Sequence, residues 1–197
     1  MYGLDIETDT EIDGLDPTRS AIVAVALVSD DAEFIFDGSE AQILRDLDQT
    51  LAELPPGVIV TWNGSRFDLP YLADRAKLTQ ISLNLRLTQS AFRDSWHDPL
   101  PGHAGGYQAT WGDHQHLDAY FVFRNDVGAS LHLSCALKPL ARLVGLKPVE
   151  EDRTALHLLT QEQMHAYVVS DASLTRELAR RRWPTARNAI DPVSRGA

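Results

Sequence analysis

The sequence predicts an α/β domain: a mixed β-sheet, with an antiparallel meander and parallel strands, flanked by helices. Three observations predict it. β-prone segments crowd the first 36 residues, short apolar runs then alternate with helix-periodic stretches, and a long periodic stretch follows near the end. The 197 residues suffice for one hydrophobic core and are few for two.

The elements follow in order. Residues 2–7 alternate apolar and polar, residues 21–29 form a strongly β-prone run, Asp30-Asp31 reads as a turn, and residues 33–36 as a third strand. Ser39 is placed to cap a helix reaching about Leu54, with Ile43, Leu44, Leu47 and Leu51 on one face. Pro55-Pro56-Gly57 ends it. Residues 58–62 are short and apolar, as in a strand buried on both faces. Asn63-Gly64 breaks that strand, and a helix is expected over residues 65–77. Residues 97–112, rich in Gly, Pro and His, read as a loop, and 117–123 as a strand. Helices are expected over 131–144 and 160–182, with Gly145 as a stop signal. This organisation gives one domain over residues 1–183 and a flexible tail over 184–197.

Composition narrows the function classes. Hydrophobic residues at 44% and charged residues at 23% indicate a soluble globular chain rather than a disordered one. The longest apolar run, 21–28, is far short of the roughly 20 residues that span a bilayer, so no membrane association is expected. The first residues lack the basic-then-apolar pattern of an export signal. Cys135 is the only cysteine, so no internal disulfide forms, and the cytoplasm is the expected setting. The net charge of −10 argues against a protein that coats nucleic acid. It does not oppose an enzyme gripping a few nucleotides, because acidic metal ligands themselves raise the negative count.

Three groups of residues carry possible chemistry. Asp5 and Glu7, two apart on a strand, share a face. Such a pair repels by roughly 4 kcal/mol at about 4 Å and an effective dielectric near 20, and a cation between them removes that cost. Asn63-Gly64-Ser65-Arg66-Phe67-Asp68 lies where an inner strand turns into a helix, at the strand end where sites gather in α/β sheets. Tyr167 and Asp171, four apart, share a helix face. Each group alone has an ordinary reading: a solvated strand face, a Ser65/Asp68 helix cap, and an amphipathic helix. Arg176, Arg180, Arg181 and Arg182 fit phosphate contacts or, more plainly, a basic helix C-terminus. His97, His103, His114 and His116 have no cysteine beside them to complete a zinc site.

The combination is more specific. Asp-x-Glu on the first strand, Asn-Gly-x-x-Phe-Asp after an inner strand and Tyr-x-x-x-Asp on a late helix resemble the DEDD superfamily of 3′–5′ exonucleases, in its tyrosine subclass. Residues 4–8, 63–72 and 167–172 are similar to the exonuclease domain of family-B DNA polymerases, and the resemblance extends over about residues 2–182. It implies a ribonuclease-H-like fold and two divalent cations, Mg²⁺ or Mn²⁺, held by Asp5, Glu7, Asp68 and Asp171, with Tyr167 aiming the attacking water. It implies removal of nucleoside 5′-monophosphates from a single-stranded or frayed 3′ end, on DNA. Asn63 and Phe67 are then candidate substrate contacts, and Asp118 a residue supporting the metal site from behind. Two rival readings remain open: a 3′ exonuclease of RNA or short oligonucleotides, and a non-catalytic nucleic-acid-binding module on the same fold.

Overall fold

The computed structural model describes residues 1–94 and 99–191. Its strands are β1 (Tyr2–Thr8), β2 (Ile22–Val28), β3 (Glu33–Phe36), β4 (Val58–Thr61), β5 (Leu85–Asp94), β6 (Gly105–Trp111) and β7 (His114–Asp118). Its helices are α1 (Glu40–Glu53), α2 (Asp68–Thr79), α3 (Ala119–Phe123), α4 (Ala129–Leu131), α5 (Leu137–Leu143), α6 (Gln161–Arg181) and α7 (Trp183–Ala186). The seven strands form one sheet in the order β3-β2-β1-β4-β7-β6-β5. β1, β2 and β3 pair antiparallel, β4 runs parallel to both β1 and β7, and β7, β6 and β5 close the sheet antiparallel. The predicted mixed sheet, with its opening meander and inner parallel strands, is the observed one.

Alternation along β1 divides its side chains between two layers. Tyr2, Leu4 and Ile6 join the main core with Ile43, Leu44, Leu47 and Leu51 of α1 and Leu69 and Leu72 of α2. Each fully buried aliphatic of this kind contributes roughly 1.5–3 kcal/mol. Gly3, Asp5 and Glu7 face the opposite layer, where α6 lies. There Val168 and Ala172 pack on Ala24, Ala26 and Val28 of β2. The approach is close: a methyl on Gly3 would stand 2.2 Å from the Ala172 carbonyl oxygen and 2.8 Å from Arg176 Cβ. The missing side chain at Gly3 therefore lets α6 approach the strand that carries Asp5 and Glu7.

Several local expectations are corrected. Much of the loop expected over 97–112 is β6, paired with β5; its dense Gly, Pro and His mask the strand-forming Tyr107, Ala109 and Trp111. His97 lies outside the described residues. The strand expected over 117–123 stops at Asp118, whose carboxylate accepts the Tyr120 N–H and starts α3. The helix expected over 131–144 is broken. His132, at φ +51°, takes a left-handed conformation after α4. Pro139 has no N–H and fits only the first turn of α5. The helix expected from residue 65 begins at Asp68. Residues 184–191, assigned to a flexible tail, include the end of α7; Ala186 and Asp191 are buried there, while Pro184, Thr185, Arg187, Asn188 and Ala189 are exposed. Asp191 accepts hydrogen bonds from the Ala109 N–H at 3.0 Å and from His116 Nδ1 at 3.0 Å. Residues 192–197 lie outside the described residues. Among the described residues, no helix is long and apolar enough to cross a membrane.

Candidate metal centre and active site

β1 and α6 bring their acidic residues together. Asp5, Glu7 and Asp171 each offer a carboxylate oxygen, and the three oxygens lie within 4.8 Å of one another. Among the described residues this is the one cluster of His, Cys, Asp and Glu with such geometry. α6 is set firmly at its start by a reciprocal capping box between Thr160 and Gln163. Tyr167 and Asp171 then follow on the face turned to β1; Tyr167 is fully buried and Asp171 is 5% exposed.

Asp68 enters from α2 and stands outside this three-oxygen group. The backbone of Asp68 itself and of Ile6 favours its charged form, which places this carboxylate beside β1. Its charge acts on both Asp5 and Glu7. The four predicted carboxylates thus share one electrostatic pocket, with Asp68 as its flank.

Crowding of like charge in a buried place raises every one of these acids. Burial, then Glu7, Asp171 and Asp68, push Asp5 well above the usual carboxylate range. Burial, then the Asp171 charge, raises Glu7 to about 8. Burial raises Asp68 to about 7. Burial raises Asp171 to about 6, with Lys138 and Arg153 opposing the rise. The Tyr167 phenol is also pushed up, by burial first and then by Glu7 and Asp171. Tyr167 therefore keeps its proton at neutral pH.

Two polar atoms of the site, Tyr167 Oη and Asp171 Oδ1, are buried with no hydrogen-bond partner among the described residues. Asp171 Oδ1 has only an ion-pair contact, with Lys138 Nζ at 3.4 Å. An all-oxygen donor set with mutual repulsion and an unbonded ligand atom fits a hard divalent cation such as Mg²⁺ or Mn²⁺. It does not fit zinc, and His103, His114 and His116 are committed elsewhere. His103 meets Tyr107 and Asp74, His114 meets Leu51 and Gly57, and His116 meets Thr61 and Asp191.

The turn after β4 is held by Asp118, which is 1% exposed. Asp118 accepts from Asn63 N at 2.9 Å, Ser65 N at 3.0 Å, Ser65 Oγ at 2.5 Å and Tyr120 N at 3.1 Å. Ser65 is thereby drawn to Asp118 and leaves the expected helix-capping role. Asn63 adopts φ +67°, a left-handed conformation that Asn tolerates. Gly64 is needed beside it, since a methyl there would stand 2.3 Å from Thr61 Oγ1. Asp118 thus shapes the segment that delivers Asp68. Phe67 is half-buried against the main core and meets Tyr71 in a tilted ring contact at 5.3 Å, so only part of its ring is open to a ligand.

The four arginines after Asp171 are engaged within the protein. Arg176 pairs with Asp30, Arg180 and Arg181 with Glu177, and Arg182 with Asp126. That favours the plain reading of a basic helix end. Sequence reasoning missed three contributors. Gly3 was legible as the i−2 neighbour of Asp5 on the same strand face. Lys138 and Arg153 carried no signal. Arg153 is exposed as a residue, yet its charge bears on Asp5, Glu7, Asp68, Asp171 and Tyr167. A cavity of about 420 Å³ adjoins the cluster without including it, lined in part by Thr8, Asp9, Met164 and His165.

Comparison with known proteins agrees with this architecture. The family described as DNA polymerase family B, exonuclease domain, matches residues 29–135, a span that contains Asn63, Asp68 and Asp118. A DNA polymerase of Pyrococcus glycovorans is 29% identical over 153 residues, 74% of this chain and 18% of that protein. A DNA polymerase of Archaeoglobus fulgidus is 32% identical over 86 residues, 43% of this chain and 11% of that protein. The solved family B DNA polymerase from the archaeon Pyrobaculum calidifontis superposes with a TM-score of 0.73 at 22% identity, covering 93% of this chain and 24% of that one. The chain thus spans less than a quarter of the length of these proteins. With more than half of its residues matched by the family, this chain belongs to the family-B DNA polymerase exonuclease domains.

Proposed function

We propose that the protein is a metal-dependent 3′–5′ exonuclease that removes nucleoside 5′-monophosphates from single-stranded or frayed DNA. The observation that carries this reading is the meeting of Asp5, Glu7 and Asp171 within 4.8 Å, from elements distant in sequence. Family membership and relatives named as DNA polymerases support a DNA substrate.

Asp5, Glu7 and Asp171 would hold the cations, with Asp68 completing the set from α2. When bound, two divalent ions supply activation of the attacking water and neutralise charge on the leaving 3′ oxygen. The chain's own residues do the rest. Tyr167 Oη, buried at the cluster, orients the water by hydrogen bonding; because it holds its proton, it does not act as a free base. Asn63 and the open part of Phe67 meet the terminal nucleotide, the ring by stacking. Asp118 keeps Asn63 and Asp68 in place through the turn between them.

Incubation with Mg²⁺ or Mn²⁺ and 5′-labelled single-stranded DNA, duplex DNA and RNA tests this. The expected result is a ladder shortening from the 3′ end of single-stranded DNA, fastest among the three. A preference for RNA, or no shortening, contradicts the reading. In the same assay Tyr167→Phe is expected to lower kcat while calorimetric Mn²⁺ affinity stays within about twofold, as for loss of an orienting hydroxyl. Asp118→Asn should reduce turnover roughly 10–100-fold, as for groups that hold a metal ligand in place. Its amide keeps one accepting oxygen and presents an NH2 in place of the other, so either Asn63 or Ser65 loses its acceptor. Wild-type turnover in Asp118→Asn would rule out its positioning role.

A further inference from the structure

Lys138 reaches the site from α5, a helix that carries none of the four carboxylates. Its Nζ donates to the Val149 carbonyl at 2.8 Å, stands 3.4 Å from Asp171 Oδ1 and lies 3.6 Å from the centroid of the Tyr167 ring. Val149 is itself fixed, its N–H donating to Ser170 Oγ at 3.0 Å. The ammonium is therefore anchored, through one carbonyl, to the residue beside Asp171 on α6. Its side chain is only 13% exposed. A lysine free to sample solvent would not show this triple engagement, given the rotamer freedom it gives up.

The three contacts have distinct consequences. The ring face attracts the ammonium, and that attraction strengthens when both are shielded from water. Fixing the ring plane fixes Tyr167 Oη, which sits at the ring's edge. The Asp171 contact works against metal loading: a full positive charge beside a ligand oxygen repels an arriving cation and competes for its lone pair. The same charge also acts on Glu7.

We propose that Lys138 is a positioning residue with two opposed effects: it holds Tyr167 and Asp171 in the geometry that hydrolysis needs, and it weakens divalent-cation binding at Asp171. The first effect rests on the exonuclease reading; the second rests on cation binding alone. Loss of the charge should tighten metal binding and slow turnover together. Ordinary structural damage would lower both.

The test uses Lys138→Met, which keeps the apolar stem, Lys138→Gln as a second neutral variant, and Lys138→Arg, which keeps the charge. Mn²⁺ affinity is read by titration calorimetry, and kcat on the labelled DNA strand at saturating Mn²⁺. Both neutral variants are expected to bind Mn²⁺ roughly threefold to tenfold more tightly and to lose at least about tenfold in kcat. Lys138→Arg should lie nearer the wild type in both. Weaker or unchanged Mn²⁺ binding in the neutral variants overturns the charge effect, and an unchanged kcat overturns the positioning effect. If the wild-type chain cleaves no nucleic acid, the exonuclease reading fails and takes the positioning effect with it. The Mn²⁺ affinities then still decide the other half.

Discussion

Asp5→Asn is expected to abolish hydrolysis and, in the metal-free protein at about pH 8, to raise the melting temperature. On the proposed reading Asp5 is a direct ligand, and its loss should exceed the roughly 10–100-fold effect of a supporting residue. The gain in stability follows from the shifted acids. Glu7, Asp68 and Asp171 lose their protons near about 8, 7 and 6 in the folded chain, and Asp5 also stands well above its ordinary value. In the unfolded chain all four release them near about pH 4. Between those limits the native protein holds more protons than the unfolded one, so stability falls as pH rises. Below about pH 4 both states are protonated and the penalty disappears. Asparagine copies the neutral acid and removes one member of the repelling group. A relief on the order of 2 kcal/mol, at roughly 2–4 °C per kcal/mol for a chain of this size, raises the melting temperature by roughly 4–8 °C. Thermal melts from about pH 5 to about pH 8 should show a steeper decline in the wild type than in Asp5→Asn. Saturating Mn²⁺ should lift the wild type alone. A variant less stable than the wild type at the alkaline end would mean that Asp5 is a structural anchor and not a repelling ligand.

Gly3→Ala is expected to cost both stability and turnover, although alanine suits a strand better than glycine. The added methyl meets a backbone oxygen at 2.2 Å, and backbone cannot swing aside as a flexible side chain can. Relief of the clash requires α6 to move away from β1. Overpacking of this kind costs typically about 1–3 kcal/mol. The displacement also carries Asp171 away from Asp5 and Glu7, and a misplacement of about 1 Å can reduce turnover by about a hundredfold. Urea denaturation and kinetics on the labelled strand measure the two effects. Full activity in Gly3→Ala would show that the site tolerates a wider strand-to-helix spacing than the structure has.

The parts legible in the sequence are those fixed by local periodicity. Alternation in β1 placed Asp5 and Glu7 on one face, and a four-residue spacing placed Tyr167 and Asp171 on one side of α6. The strand-to-helix junction placed Asp68 at a helix start. What failed depended on neighbours distant in the chain. β6 is a strand because β5 and β7 pair with it, and its own glycines argue otherwise. Asp118 was legible as a residue behind the site, but its hold on the turn of Asn63 and Ser65 emerges only when β7 lies beside β4. Lys138 enters the site because the chain beyond α4 doubles back over α6, which no local pattern encodes. Asp191 looked like part of a loose end until His116 and Ala109 supplied its partners.

The most direct measurement is the binding of Mn²⁺, followed by its electron spin resonance, to the wild type, Asp5→Ala and Asp171→Ala under identical conditions. If β1 and α6 build a single cation site, each substitution alone should remove most of the tight binding seen in the wild type. Retention of wild-type affinity in both variants would mean that these acids do not share a metal.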